Sequence, residues 1–384
     1  MHVITQEESM ILNMVDDICS DVVSLRAAEI DEDDEFPEDI YRLFVDQGLF
    51  SLAYGEEYGG CQVSMHCWVR MIERISKESP AAALMVLISA IGSDALVFSG
   101  SAEQKATILP RLASGDAKIC FALTEPRAGS DISSISTVAK PTGDGWLVNG
   151  AKIFITNGEV SDYFTVFAKV ARGDELLPSC FVVPRETPGL VIGRKEHKMG
   201  LRGSVTSQLF FEDMKVTPDM LVGELGQGFE IAHHTLNRGR LAVAALSTGV
   251  TAACVDAAAS YAQERVQFHR AISDFQAVKF MLADMEIGLE ASRLMLDQAA
   301  DAYTEHSPAM TKTASAAKVF CSEQAVAASR DAVQIFGGYG LCKDYPVERY
   351  YRDARAFTII EGTSQVQRSL VAKAVLKEHA VSGS

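Results

Sequence analysis

The chain has 384 residues, 48% of them apolar, with a net charge of −16 and eight cysteines. That length predicts two or three domains with ample material for buried cores. The acidic balance repels phosphate backbones and anionic membranes, which excludes nucleic-acid binding as the main task. The cysteines form no Cys-x-x-Cys, so neither a metal site nor a disulfide framework is expected, and reduced thiols in a cytoplasmic protein fit best.

Residues 1–117 read as a helical domain. Ile11, Met14, Val15 and Ile18 recur at helical spacing. The acidic break Asp31-Glu-Asp-Asp-Glu-Phe-Pro37 ends that pattern, and Pro37 suits the start of a new helix. Helical patterns resume at Met65–Lys77 and Ala81–Phe98, and Ser101 with Gln104 predicts a capping box. The apolar run Ala81–Ile91 is too short to span a bilayer, and Asp94 follows it. The first residues lack the basic and apolar regions of a secretory leader, and none is expected.

Residues 118–226 read as an antiparallel β domain. Strand candidates are Ile119–Leu123, Trp146–Val148, Lys152–Ile155, Tyr163–Val170, Cys180–Val183 and Gln208–Phe211. Gly143-Asp-Gly145, Asn149-Gly150 and Asn157-Gly158 read as turns. The run Gly223–Gly228 lacks the spacing of a dinucleotide-binding glycine motif and reads as a hinge. Residues 227–384 then carry long Ala-rich helical patterns of bundle length. The fold class expected is α+β, with a possible ligand cleft between the β domain and the second bundle.

Near the C-terminus, Glu361 follows Phe357, Ile359 and Ile360 and precedes Gly362, Thr363 and Ser364. A carboxylate among apolar side chains has a raised pKa and suits a general base. The same residues also fit a helix start capped by Thr363 or Ser364. The loop Thr124-Glu-Pro-Arg-Ala-Gly-Ser-Asp131 offers hydroxyls and backbone N–H groups, and also fits an ordinary strand connection.

That loop resembles one signature of the acyl-CoA dehydrogenase family. Gln334-Ile-Phe-Gly-Gly-Tyr-Gly340, Tyr345-Pro-Val-Glu-Arg349, Tyr351-Arg-Asp-Ala354 and Ile360-Glu-Gly-Thr363 resemble the other. The resemblance covers essentially the whole chain and its helix–sheet–helix order. It implies FAD bound by Phe121, Leu123, Thr124, Gly129, Ser130, Phe154, Ile155 and Thr156 beside the reacting thioester. It implies flavin contacts from Arg265, Gln267, Phe268, Phe275, Gln276, Gln334, Ile335, Gly337, Gly338, Thr363 and Gln365, partly from a neighbouring subunit of a homotetramer. Arg265 is a fork donor suited to pyrophosphate, and Gly337-Gly338 also reads as a helix cap.

Substrate contacts implied are Ser130, Asn237, Arg240, Glu361 and Gly362, with Glu361 as the only catalytic residue. Some relatives place their carboxylate near Gly239, where this chain has none. The activity implied is α,β-dehydrogenation of a short- or medium-chain acyl-CoA, with electrons passed to an electron-transferring flavoprotein. Alternatives are a desaturase or oxidase of a carrier-protein-bound acyl thioester, and a non-catalytic flavoprotein-like scaffold. Two residues depart from the family pattern: Arg127, expected to point to water, and Ile360, where a Tyr is commoner. Arg238 reads as a solvated helix charge, and His233-His234 as packing or surface residues.

Overall fold

The computed structural model describes residues 4–380. Six helices come first: α1 (Gln6–Ile18), α2 (Ser24–Asp33), α3 (Glu38–Asp46), α4 (Met65–Glu78), α5 (Pro80–Ser99) and α6 (Ala102–Ala113). A π-helical turn, Cys19–Val23, joins α1 to α2. Side-chain caps set the starts of α1, α4, α5 and α6. The Ser101–Gln104 capping box forms, with Gln104 N donating to Ser101 Oγ (3.1 Å) and Ser101 N to Gln104 Oε1 (2.9 Å). α3 starts directly after Pro37, which stands at its N-cap position without a side-chain cap bond.

Eight strands follow: β1 (Ile119–Ala122), β2 (Val138–Pro141), β3 (Trp146–Thr156), β4 (Tyr163–Arg172), β5 (Glu175–Pro184), β6 (Leu190–Lys195), β7 (Thr206–Val216) and β8 (Leu221–Val222). The sheet order is β6-β7-β3-β2-β4-β5-β8, with β1 also on β4. Most neighbours are antiparallel, but β1 and β2 both run parallel to β4. They occupy one edge of β4 in succession, at Tyr163–Val166 and at Lys169–Val170. The segment between them, 123–137, must therefore leave the sheet. Asn149-Gly150 is not a turn. It lies inside β3 at a register shift, where Gly150 (φ 153°) passes so close to Thr137 that a Cβ would meet Thr137 Oγ1 at 2.4 Å.

The second helical region contains α7 (Gly228–Glu264), a two-residue-strand hairpin of β9 (Val266–Gln267) and β10 (Arg270–Ala271), then α8 (Gln276–Thr304), α9 (Met310–Phe336), α10 (Val347–Phe357) and α11 (Ser364–Glu378). The two helical regions are not separated. Helices α4 and α5 pack on α7 alongside α8 and α9. Ser76 Oγ donates to Leu246 O (2.8 Å), and a Cβ on Gly249 would sit 2.3 Å from Glu73 O. Helices α5 and α7 are long and apolar enough to cross a membrane. The argument from the short run Ala81–Ile91 thus fails on length, since α5 continues to Ser99. What both helices show instead is burial of most of their apolar stretch inside the chain.

Arg238 is also not solvated. It is buried on α7, where Nη1 donates to Asp94 Oδ1 (2.7 Å) on α5 and the guanidinium lies 4.6 Å over the Trp68 ring. Burying a cation without a partner is costly, and here the partner comes from another helix. All eight cysteines are free thiols.

Candidate active site

The loop 123–137 is held from beneath by a buried ion pair. Lys152 on β3 is fully buried, and its Nζ donates to Glu125 Oε1 (2.8 Å) and Leu123 O (3.0 Å). Glu125 also accepts from the Thr137 amide (3.0 Å) and from the amide and hydroxyl of Ser136 (2.5 and 2.7 Å). Burial pushes the Glu125 pKa up, but Lys152 and these hydrogen bonds outweigh it and hold it at about 2. Reciprocal bonds between Glu125 and Ala128 (3.1 Å each) close the turn. Arg127 is exposed at its tip.

A second register shift, between Lys152 and Ile155, turns Phe154 outward at φ 59° with 60% of its surface exposed. A positive φ is unfavourable for an aromatic residue and marks a site where presentation matters more than local comfort.

Between this loop and the C-terminal helices lies a cavity of about 300 Å³. Phe121, Leu123, Thr124, Gly129, Ser130, Phe154, Ile155 and Thr156 form one wall. Ile88 of α5 and His233, Leu236 and Arg240 of α7 form another. Glu361, Gly362, Val366, Gln367 and Leu370 close it. Eleven of the residues singled out in the sequence thus converge on one space. His233, read from the sequence as a packing or surface residue, also lines it, and Ile88, Ile132, Leu236, Val366, Gln367 and Leu370 join without a chemical motif to announce them.

Glu361 sits in the turn between α10 and α11. Phe357 is buried, Ile360 packs on the core, and Thr363 caps α11 by accepting from Val366 N (3.3 Å). The helix start read from the sequence is therefore present, with Thr363 as its cap. Glu361 has φ 52° and Gly362 φ 92°, two consecutive left-handed residues. Oε2 of Glu361 is buried and makes no hydrogen bond. Burial raises the Glu361 pKa, opposed by the charges of Arg240 and Lys318. Burial likewise lowers Arg240 to about 10 and Lys318 to about 8, each opposed by Glu361. Asn237 does not line the cavity; its Oδ1 accepts from Arg240 Nη1 (2.6 Å) and orients that guanidinium. Gly239 faces the carboxylate so closely that a Cβ there would lie 2.3 Å from Glu361 Oε2.

The remaining predicted contacts lie elsewhere. Arg265, Gln267, Ile335, Gly337 and Gly338 line a separate open hollow at the far end of α7, with Tyr261, Phe336 and Tyr339. Arg265 lies 5.3 Å over the Tyr339 ring and has no carboxylate partner among the described residues. Gly337 (φ 61°) caps α9, and no atom stands within 4 Å of a Cβ built on Gly337 or Gly338. Phe268 and His269, both at positive φ, form the tip of the β9–β10 hairpin, and Phe268 is 83% exposed. Phe275 packs edge-on against Phe268 at 6.0 Å, while Gln276 and Gln334 are exposed. An unpaired guanidinium, an open glycine cradle and a displayed aromatic ring suit a dinucleotide. Thr363 and the exposed Gln365 open α11 beside Glu361.

Three family models match in order: the N-terminal domain of acyl-CoA dehydrogenase at residues 5–116, the middle domain at 120–214 and the C-terminal domain at 226–376. An acyl-CoA dehydrogenase of Bacillus subtilis is 41% identical over 381 residues, 98% of this chain and 99% of that one. Subunit CarC of the caffeyl-CoA reductase-Etf complex of Acetobacterium woodii is 40% identical, covering 91% of this chain and 93% of that protein. The solved butyryl-CoA dehydrogenase of Megasphaera elsdenii superposes with a TM-score of 0.94 at 34% identity, covering 98% and all of the two chains. With three domain models in register and relatives matched nearly end to end, the chain belongs to the acyl-CoA dehydrogenase family of flavin-dependent oxidoreductases.

Proposed function

We propose that this protein catalyses FAD-dependent α,β-dehydrogenation of a short- or medium-chain acyl-CoA to the trans-2-enoyl-CoA, with Glu361 as the α-proton base. The observation that carries the reading is the buried, unpartnered Oε2 of Glu361 on the wall of a largely apolar cavity. The thioester carbonyl acidifies the α carbon, and Glu361 takes that proton. Burial makes the carboxylate a stronger base than one in water, and the charges of Arg240 and Lys318 oppose that rise. The apolar lining from Ile88, Leu236 and Leu370 keeps water from competing for it. The backbone N–H of Glu361 donates to the thioester oxygen as enolate charge develops there.

FAD, when bound, supplies the acceptor for the β hydride. Phe121, Leu123, Thr124, Phe154 and Thr156 would hold its reactive end, and Arg265 with Gly337-Gly338 would hold the pyrophosphate and adenine end of the FAD of a neighbouring copy in a homotetramer. A volume of about 300 Å³, at the small end of ligand sites, supports a short or medium acyl group. Likeness to a protein that works within an Etf complex supports an electron-transferring flavoprotein as electron acceptor.

Anaerobic mixing with acyl-CoAs from butyryl to decanoyl, followed by the visible flavin band, tests this. At least one should bleach the band. If only a carrier-protein thioester bleaches it, the CoA assignment fails; if nothing does, the enzyme assignment fails. Glu361→Gln should retain FAD while its reduction slows by about 1000-fold. Normal reduction in that variant moves the base elsewhere.

A further inference from the structure

Glu361 is a non-glycine residue held left-handed, at φ 52°, directly before a glycine at φ 92°. Released, such a turn relaxes, and the side chain leaves the direction it now takes. Two side chains hold it. Lys318 of α9 is fully buried, and its Nζ donates to Gly362 O (2.8 Å). Gln367 of α11, also fully buried, donates through Nε2 to Glu361 O (2.9 Å) and, more weakly, to Gly362 O (3.4 Å). The approach is so close that a Cβ on Gly362 would lie 2.3 Å from Gln367 Nε2. Lys318 makes no ion pair among the described residues. A buried ammonium whose one direct contact is a neutral carbonyl is costly, and a merely structural anchor needs no charge.

We infer that Lys318 and Gln367 are positioning residues that clamp the Glu361–Gly362 turn and keep the carboxylate in the cavity. This rests on Glu361 being the base. The two residues do different work. Both fix the backbone, but only Lys318 carries charge. Glu361 is faced by Arg240 from α7 and Lys318 from α9, and Lys318 by Glu361, Arg240 and Glu323. Removing Lys318 therefore loosens the turn and also withdraws one of the two cations that oppose burial.

The test uses the FAD-loaded protein and anaerobic stopped-flow reduction by its best acyl-CoA across pH. Lys318→Met should keep the flavin spectrum, hold the substrate dissociation constant within about threefold, and slow reduction by about 100-fold, as expected for a base displaced by about 1 Å. Its acid limb should move to higher pH, because the remaining cation stabilises the carboxylate less. Gln367→Leu should slow reduction with the limb unmoved. A Lys318→Met enzyme with a wild-type rate and limb overturns the inference, and so does a Gln367→Leu enzyme with a wild-type rate. If Lys318→Met does not fold, Gln367→Leu decides alone. Glu361→Gln separates the two failures. Normal reduction in that control removes the base itself, whereas an inactive control beside a wild-type Lys318→Met removes only the clamp.

Discussion

Gly239→Ala should make a slower but no less stable enzyme. The added Cβ would lie 2.3 Å from Glu361 Oε2, 2.9 Å from its Cδ and 3.3 Å from Ile91 Cδ1. Ordinary contact begins near 3.4 Å, so the carboxylate must withdraw by the difference, 3.4 − 2.3, or about 1 Å. Its flexible end can do so without moving backbone. A reacting group misplaced by that distance loses about 100-fold in rate. Stability moves the other way, because alanine is favoured over glycine inside a helix by about 1 kcal/mol and Gly239 lies within α7. The assay pairs stopped-flow flavin reduction with thermal melting followed by flavin fluorescence. The expected result is a rate down about 100-fold with FAD retained and a melting temperature equal to or above wild type. A rate within threefold of wild type would refute the close approach of residue 239 to the base.

Three further outcomes follow from buried charge. Lys152→Met strands Glu125 without its cation, which costs about 3–5 kcal/mol; melting should fall by several degrees, and FAD should appear in ultrafiltrates as the loop 123–137 loosens. Glu125 is held at about 2 in the folded chain against an ordinary 4.5, so its stabilisation is complete above pH 4.5. It is lost as pH falls from there towards about 2, since the unfolded chain takes up the proton first. Urea midpoints compared at about pH 6 and about pH 3 should show that loss in wild type and a smaller one in Lys152→Met. Asp94→Leu leaves Arg238 buried and uncompensated at a similar cost of about 3–5 kcal/mol, whereas Asp94→Leu/Arg238→Met should recover most of it in thermal melts; a neutral single variant would mean that the pair is hydrated.

The site was legible where chemistry is local. Glu361 stands among apolar neighbours in the sequence, and the fold half-buries it and encloses its Oε2. The loop from Thr124 to Asp131 has a turn's composition, and its edge on β4 turns it out of the sheet. What could not be read depends on partners distant in sequence. Arg238 meets Asp94 across 144 residues, and nothing near either one encodes the other. Asn149-Gly150 carries a hairpin's composition, but Gly150 is needed for the close passage of Thr137, and Asn149 Nδ2 instead donates to Asp213 Oδ1 (2.8 Å) on β7. β2 and β6 were missed because they are short and half exposed, without clean alternation. Lys318 had a faint signal. It falls on the stripe of Ala314, Cys321 and Ala325, the one charged residue where the helix is otherwise small and buried.

Helix α7 also acts as a ruler. Arg240, about a third of the way along it, lines the candidate cavity, and the hollow around Arg265 lies just past its end. The 24 residue steps from Arg240 to Glu264 make a rod of about 36 Å at 1.5 Å per step. Packed on five other helices, it cannot shorten. On the proposal that this hollow takes the flavin of a neighbouring copy, each copy carries two unlike half-sites and completes neither alone. Cofactor retention and assembly thereby become a single equilibrium: dilution that separates copies should shed flavin, and added flavin should drive copies together.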